Sequence, residues 1–396
     1  MTLTVPTTYK ALTESTAIAL AKAVHPFDGN ARLTCREIGD GNLNYVFQIE
    51  DPQTGKRLII KQALPYAKVI GESWPLTLKR ATIEANVLRK HGEFVPSLVP
   101  AVYATDEELA ITVMEDLSHL EIAREGLVNG ENFPRLSQDI GEYLAQTLFH
   151  TSDYGLHPFE KKGLAAEFSN PELCKITEDL IFTDPFFDVE TNDYEPQLQS
   201  AVEAIWSDRK LQLEVAKLKK SFLTESEALL HGDLHTGSIF ASQTETKVID
   251  PEFGFYGPIG FDVGLFLANL IFQAITREGE DRQVIVGHIE KTWDVFDSRF
   301  TELWKTESVE SFKETEGYLE FVLEKVLTDA TGFAGCELIR RTIGLAHVKD
   351  LDSIEDTEKR IHSKKQALQT GRALILKRQQ TASIGDILQI LEEAHT

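Results

Sequence analysis

From about residue 33 to residue 113, short apolar runs broken by turn-forming residues predict strands. Tyr45-Val46-Phe47-Gln48-Ile49 and Arg57-Leu58-Ile59-Ile60-Lys61-Gln62 are rich in β-branched and aromatic residues, and Asp51-Pro52-Gln53-Thr54-Gly55 between them has turn chemistry, so two antiparallel strands are expected. A loop carrying Trp74-Pro75 follows. Ala81, Ala85 and Leu88 then recur at spacings of four and three and predict a helix over about 78–91. Residues 101–104 and 109–114 read as two more strands. After Glu115-Asp116-Leu117 the period changes, with Leu136, Ile140, Leu144 and Leu148 returning every four residues on one helix face. The apolar stretch 261–275 is interrupted by Asp262, Asn269 and Gln273, is too short to span a bilayer, and reads as a buried helix. Residues 353–365 alternate charge at helical spacing, as a solvated helix face does. Residues 151–225, rich in Phe, Pro and acids, carry the weakest pattern and are expected to hold any insertion. The fold class expected is α+β, with a small antiparallel-sheet domain over 1–116 and a larger, mostly helical domain over 117–396.

Length and charge narrow the function. At 396 residues the chain exceeds one ordinary core and suits a two-lobed enzyme. Its net charge of -23, from 40 basic and 63 acidic side chains, argues against nucleic acid as main partner and against an anionic membrane surface, both of which need clustered cations. Cys35, Cys174 and Cys336 are too scattered for a zinc knuckle or a disulfide framework and suit a reducing cytoplasm. The N-terminus has no basic segment followed by an apolar run, so secretion is not expected.

The chemistry concentrates in two segments. His231-Gly232-Asp233-Leu234-His235-Thr236-Gly237-Ser238 places a carboxylate on a turn, and Val248-Ile249-Asp250-Pro251-Glu252-Phe253-Gly254 follows an apolar run with two more. Asp233 is assigned to an incoming hydroxyl as base or orienting group. His231 and His235 are read as bracing the turn. Asp250 comes 17 positions after Asp233, far enough for a short hairpin that returns the second carboxylate toward the first. Asp250 and Glu252 are two apart, so an extended backbone would turn both carboxylates the same way to share metal ions. Upstream, Gly39 and Gly41 open a loop in which backbone amides can approach phosphate oxygens, with Asn44 where a third glycine is often found. Taken alone, that loop is equally an ordinary hairpin turn. Lys61 at the end of a strand and Glu84 within the next helix follow the order of the phosphate-binding lysine and its carboxylate partner in protein kinases. Met114, Glu115 and Leu117 fall at the expected domain boundary, where a hinge backbone would hold an adenine edge or a strand would simply end.

Together these residues resemble the aminoglycoside phosphotransferase and choline kinase branch of the protein-kinase-like fold, from the glycine loop to the C-terminal helices. Within it, the Asp-x-Glu form at Asp250-Pro251-Glu252 and the pair Arg340-Arg341 resemble the methylthioribose kinase family. The resemblance implies a bilobal fold, ATP and Mg2+ as cofactors, and phosphorylation of the C1 hydroxyl of 5-methylthioribose in methionine salvage. It also implies a cytoplasmic homodimer in which Arg340 and Arg341 reach the sugar pocket. Trp74 either closes over that substrate or packs. The branch commonly carries an asparagine metal ligand five positions after the catalytic aspartate, where this chain has Ser238. A hydroxyl is a poor substitute for an amide oxygen on magnesium, so Glu252 is expected to complete the metal's ligation. The same chemistry on an aminoglycoside, choline or homoserine is the alternative, and a non-catalytic nucleotide-binding protein is the reading from another class. The presence of Lys61, Asp233 and Asp250 together argues for catalysis.

Overall fold

The computed structural model describes residues 9–24, 27–28, 31–38, 43–67 and 71–395. They form two compact units, one drawn from the chain up to Leu120 with Lys247–Gly254, the other from Glu121–Thr246 and from Phe255 onward. The division falls four residues beyond the expected 116, and the segment bearing Asp250 and Glu252 returns to the first unit.

The first unit contains helix α1 (Glu14–Val24), strands β1 (Thr34–Glu37), β2 (Asn44–Glu50), β3 (Arg57–Ala63), β4 (Tyr66–Ala67) and β5 (Gly71–Pro75), helix α2 (Lys79–Gly92), and strands β6 (Val102–Asp106) and β7 (Ile111–Glu115). The antiparallel sheet runs in the order β1-β2-β3-β7-β6. The turn between β2 and β3 is held by Asp51, whose carboxylate accepts from Gln53 N–H at 3.0 Å and Thr54 Oγ1 at 2.7 Å. Leu58 and Ile60 of β3 pack with Phe47, Ile49, Ile111 and Val113 against Ala17 and Ala21 of α1. Side chains alternate along a strand, so Lys61 turns to the opposite face, where its register partners are Val46 and Thr112. Trp74 lies on β5, paired with β4 through Tyr66↔Pro75, and not in a loop. The aromatic residues Tyr66 and Trp74 favour extended backbone, and Pro75 ends the ribbon without needing to donate.

The second unit begins with β8 (Glu121–Ile122), α3 (Ala123–Val128) and α4 (Leu136–His150). Residues 151–225, weakly patterned in sequence, are largely helical: α5 (Pro158–Glu167), α6 (Pro171–Phe182), α7 (Gln199–Ser207) and α8 (Arg209–Thr224). Proline opens both α5 and α6, where its missing N–H costs nothing. Next come β9 (Ala228–Leu229), β10 (Ile239–Ala241), β11 (Thr246–Val248), which leads the chain back to the first unit, and β12 (Tyr256–Gly257). β10 pairs with β8 and β12 with β9. The chain closes with α9 (Gly260–Thr276), α10 (Gly279–Glu307), α11 (Tyr318–Ile343), α12 (Lys349–Asp352), α13 (Thr357–Lys377) and α14 (Ile384–His395).

As its apolar run predicts, α9 is buried from Gly260 to Ile275. It packs on α11, which packs in turn on α13. At the second crossing a Cβ on Gly335 would lie 2.5 Å from the Gly371 carbonyl oxygen, so only glycine permits that approach. The charged stretch 353–365 is mostly exposed, as expected, with Ile361, Ser363 and Lys364 turned inward. Asp356 caps α13 through Lys359 N–H at 3.0 Å, and Lys364, buried on α13, pairs with Glu195 and Asp352. The three cysteines are free thiols. Among the described residues no helix is long and apolar enough to cross a membrane.

Candidate active site

In the first unit the side chain of Lys61, buried in the sheet, meets Glu84 Oε1 of α2 at 2.8 Å and also Asp250 Oδ1. The lysine–glutamate pair expected from chain order is therefore formed. Burial pushes the Glu84 carboxyl up, and the Lys61 charge only partly offsets it.

Asp250 and Glu252 do not lie along an extended backbone as their spacing suggested. Asp250 has φ 67, in the left-handed region, and Glu252 N–H donates to its carbonyl at 2.8 Å, closing a tight turn around Pro251. The two carboxylates have separate surroundings. The Asp250 side chain is 45% exposed and meets Lys61; that of Glu252 is 9% exposed and accepts from Arg80 Nη1 at 2.5 Å. Arg80, fully buried on α2, also donates to Asn44 Oδ1 at 2.9 Å, to the Leu64 carbonyl at 3.1 Å and to the Leu43 carbonyl. It ties the edge of the glycine segment to Glu252. Sequence reasoning missed Arg80, although its place four residues before Glu84 on one helix face was the available signal.

Gly39 and Gly41 lie outside the described residues. Met114 and Leu117 are buried, while Glu115 exchanges hydrogen bonds with Ala101, its N–H donating to the carbonyl at 2.9 Å and its carboxylate accepting the amide at 3.1 Å.

In the second unit, the turn after β9 is built around Asp262 at the start of α9. Its carboxylate accepts from His231 N–H at 2.6 Å and Gly232 N–H at 3.0 Å, and burial raises its pKa to about 7 despite those two donors. Gly232 has φ 84, a conformation glycine adopts without strain. His231 braces the turn as expected, accepting Asp233 N–H at 3.2 Å. The Ser238 hydroxyl accepts His235 N–H at 3.1 Å and lies 2.9 Å from the His235 carbonyl and 3.2 Å from that of Asp233. The hydroxyl that replaces the branch's asparagine thus latches the backbone.

Asp233 Oδ1 receives Arg340 Nη2 at 3.3 Å and Arg341 Nη2 at 3.4 Å, and Oδ2 lies 3.4 Å from His235 Nε2. Burial opposes ionisation of Asp233, yet His235, Arg341 and Arg340 hold its carboxyl well below the usual range. Burial, aided by Arg124, pushes the His235 imidazole down against the pull of Asp233, and Arg340 and Arg341 are the guanidiniums paired directly with that carboxylate. His235 touches Asp233 as well as shaping the turn. Arg124 also braces this region, donating to Asn269 Oδ1 at 2.7 Å and pairing with Asp350 at 3.2 Å. A carboxylate flanked by two guanidiniums can accept a hydroxyl proton beside positive charge suited to a phosphoryl group.

The first cluster sets three carboxylates, Glu84, Asp250 and Glu252, against two cations, Lys61 and Arg80. That surplus and the half-exposed Asp250 carboxylate fit a magnesium ion held jointly by protein and nucleotide phosphates. Among the described residues no group of three or more His, Cys, Asp or Glu forms a metal cage, which such joint ligation does not need.

A model of the phosphotransferase enzyme family matches residues 34–297. A methylthioribose kinase from Geobacillus sp. strain WCH70 is 60% identical over 388 residues, covering 98% of this chain and 97% of that relative. One from Bacillus cereus strain ATCC 10987 is 59% identical over 376 residues, 95% of each chain. In structure, a choline kinase from Cryptosporidium parvum Iowa II aligns with a TM-score of 0.50 at 13% identity, covering 96% of both chains. That likeness is one of fold, and with the sheet-bearing first unit and helical second unit it identifies the protein-kinase-like architecture. On the family match and the near-full-length identity to its relatives, the chain belongs to the phosphotransferase enzyme family and, within it, to the methylthioribose kinases.

Proposed function

We propose that this protein transfers the γ-phosphoryl group of ATP to the C1 hydroxyl of 5-methylthioribose, giving 5-methylthioribose 1-phosphate and ADP in methionine salvage. The observation that carries the site assignment is the convergence of Arg340 and Arg341 on the Asp233 carboxylate. In this reading Asp233 orients the sugar hydroxyl and takes its proton as the C1 oxygen bonds to the γ-phosphorus. The bond from phosphorus to the β–γ bridging oxygen breaks, and its electron pair leaves with ADP. Arg340 and Arg341 hold the sugar side and offset charge on the moving phosphoryl group, and Trp74 contributes to the sugar pocket. Lys61, positioned by Glu84, binds the nucleotide phosphates, as do the backbone amides of Gly39, Gly41 and Asn44. The backbone of Met114, Glu115 and Leu117 takes the adenine edge. Asp250, joined by Glu252 once it is released from Arg80, would hold magnesium, whose charge when bound would neutralise the phosphates. The protein acts as a cytoplasmic homodimer, with neither nucleic acid nor membrane as partner.

The deciding experiment couples ADP release by the purified protein to a panel of alcohols. Methylthioribose is expected to give the highest kcat/KM by at least about tenfold, a difference of roughly 1.4 kcal/mol in transition-state stabilisation. Preference for choline, homoserine or an aminoglycoside would overturn the substrate assignment.

A further inference from the structure

Near its C-terminal end α11 carries Glu337, Arg340 and Arg341 at i, i+3 and i+4, the spacing that places three side chains on one helix face. Glu337 is completely buried. Its Oε2 accepts Arg340 Nε at 2.5 Å and its Oε1 accepts Arg341 Nε at 2.8 Å, so each oxygen serves one arginine. The Nη2 atom of each guanidinium then reaches the same oxygen, Oδ1 of Asp233, at 3.3 and 3.4 Å. Neighbouring guanidiniums repel, and two buried ones stay together only where anions compensate both. Glu337 does this from behind and Asp233 from in front, making a neutral group of four. Sequence reading selected the arginines and passed over the carboxylate three and four positions before them.

We propose that Glu337 is a positioning residue for phosphoryl transfer: by dividing its two carboxylate oxygens between the Nε atoms of Arg340 and Arg341, it aims both Nη2 groups at the reacting hydroxyl beside Asp233. The proposal rests on the reading of this site as the sugar-phosphorylating one. Glutamate is suited to the task because it supplies two acceptors and a negative charge. Glutamine supplies one acceptor, and its amide N–H groups would face a guanidinium that can only donate. Aspartate keeps both oxygens but is one methylene too short to hold both arginines in the same place.

The test compares Glu337→Gln, Glu337→Asp, Arg341→Gln and the double variant E337Q/R341Q, using ADP release with methylthioribose and checking folding by near-UV circular dichroism. Misplacing catalytic groups by about 1 Å can cost roughly 100-fold, and E337Q is expected to lose about that much in kcat while KM for ATP changes less than about twofold. E337D, which keeps the buried charge, provides the reading if E337Q does not fold, with an expected loss of roughly tenfold. In E337Q/R341Q the remaining amide oxygen still holds Arg340, so its kcat should match that of R341Q within about threefold. Folded E337Q or E337D with parental kcat would overturn the proposal, as would a double variant whose loss is the product of the two single losses. If the unaltered protein phosphorylates a different alcohol, the substrate assignment fails by itself, and the same variants are measured on that alcohol.

Discussion

Asp233 and Arg80 mark the two extremes of what individual residues disclose. Asp233 stood out in sequence because its turn is flanked by apolar residues and its neighbours His231 and His235 are residues that brace turns. Asp233→Ala is expected to lower turnover by at least about 1000-fold while leaving the affinity for a non-hydrolysable ATP analogue, measured by calorimetry, nearly unchanged. Normal turnover in that variant would end its catalytic assignment. Arg80 was passed over because its spacing of four from Glu84 is all that the sequence shows of it, while its partners Glu252, Leu43 and Leu64 are scattered along the chain. Removing one partner from a buried ion pair leaves the other uncompensated. Arg80→Met is therefore expected to destabilise the protein by about 3–5 kcal/mol in urea unfolding, with the double variant R80M/E252M recovering most of the loss. If the double variant is as unstable as the single, the pair is not what holds this corner of the site.

At the scale of elements, hydrophobic period performed well wherever one face of an element is buried. The strands β2 and β3, the helix α2 and the buried helix α9 all lie where their patterns placed them. It performed poorly over 151–225, where short helices bury narrow stripes and prolines that open helices resemble loop residues. The ribbon of β4 and β5 was read as a loop because two residues of β4 are too few to show alternation. Nor could the closeness of α11 to α13 be read, since a glycine in a helix signals only weakness until a neighbouring backbone is seen against it. Gly335→Ala must push the Gly371 carbonyl away, at a cost of about 1–3 kcal/mol that a lowered melting temperature would register. An unchanged melting temperature would mean that the crossing can relax.

For the whole molecule, stability against pH depends on carboxyls whose folded surroundings differ most from water. Asp233 is held low, and Asp352 is held at about 2 by His347 and Lys364 against the effect of burial. Both contribute stability above their unfolded pKa values, and it is lost as pH falls through their folded ones. Asp262 acts in the opposite sense: its folded pKa of about 7 lies above the ordinary 3.8, so the folded state holds the proton more tightly and stability declines as pH rises between those values. Asp262→Asn removes that slope. Relative to the parent, the variant should gain roughly 1.4 kcal/mol per pH unit across that window, after a fixed loss of about 1–3 kcal/mol because the amide leaves one of the two backbone donors unsatisfied. Urea unfolding at pH 4.5, 5.5 and 6.5 would show it, and parallel stability profiles would mean that Asp262 is ionised throughout. By itself the sequence determined most of the strands and helices outside 151–225, the net negative charge, and the residues from which a phosphoryl-transfer site is proposed. These follow from hydrophobic period, net charge and short-range turn chemistry, which depend on near neighbours or on composition alone. Only the tertiary structure decided which charge meets which. It separated Asp250 from Glu252 by a left-handed backbone turn, paired Glu252 with Arg80 across 172 positions, and set Arg340 and Arg341 on Asp233 across 107 and 108. A buried charge must find its counterpart wherever packing brings one within reach, and distance along the chain does not record that.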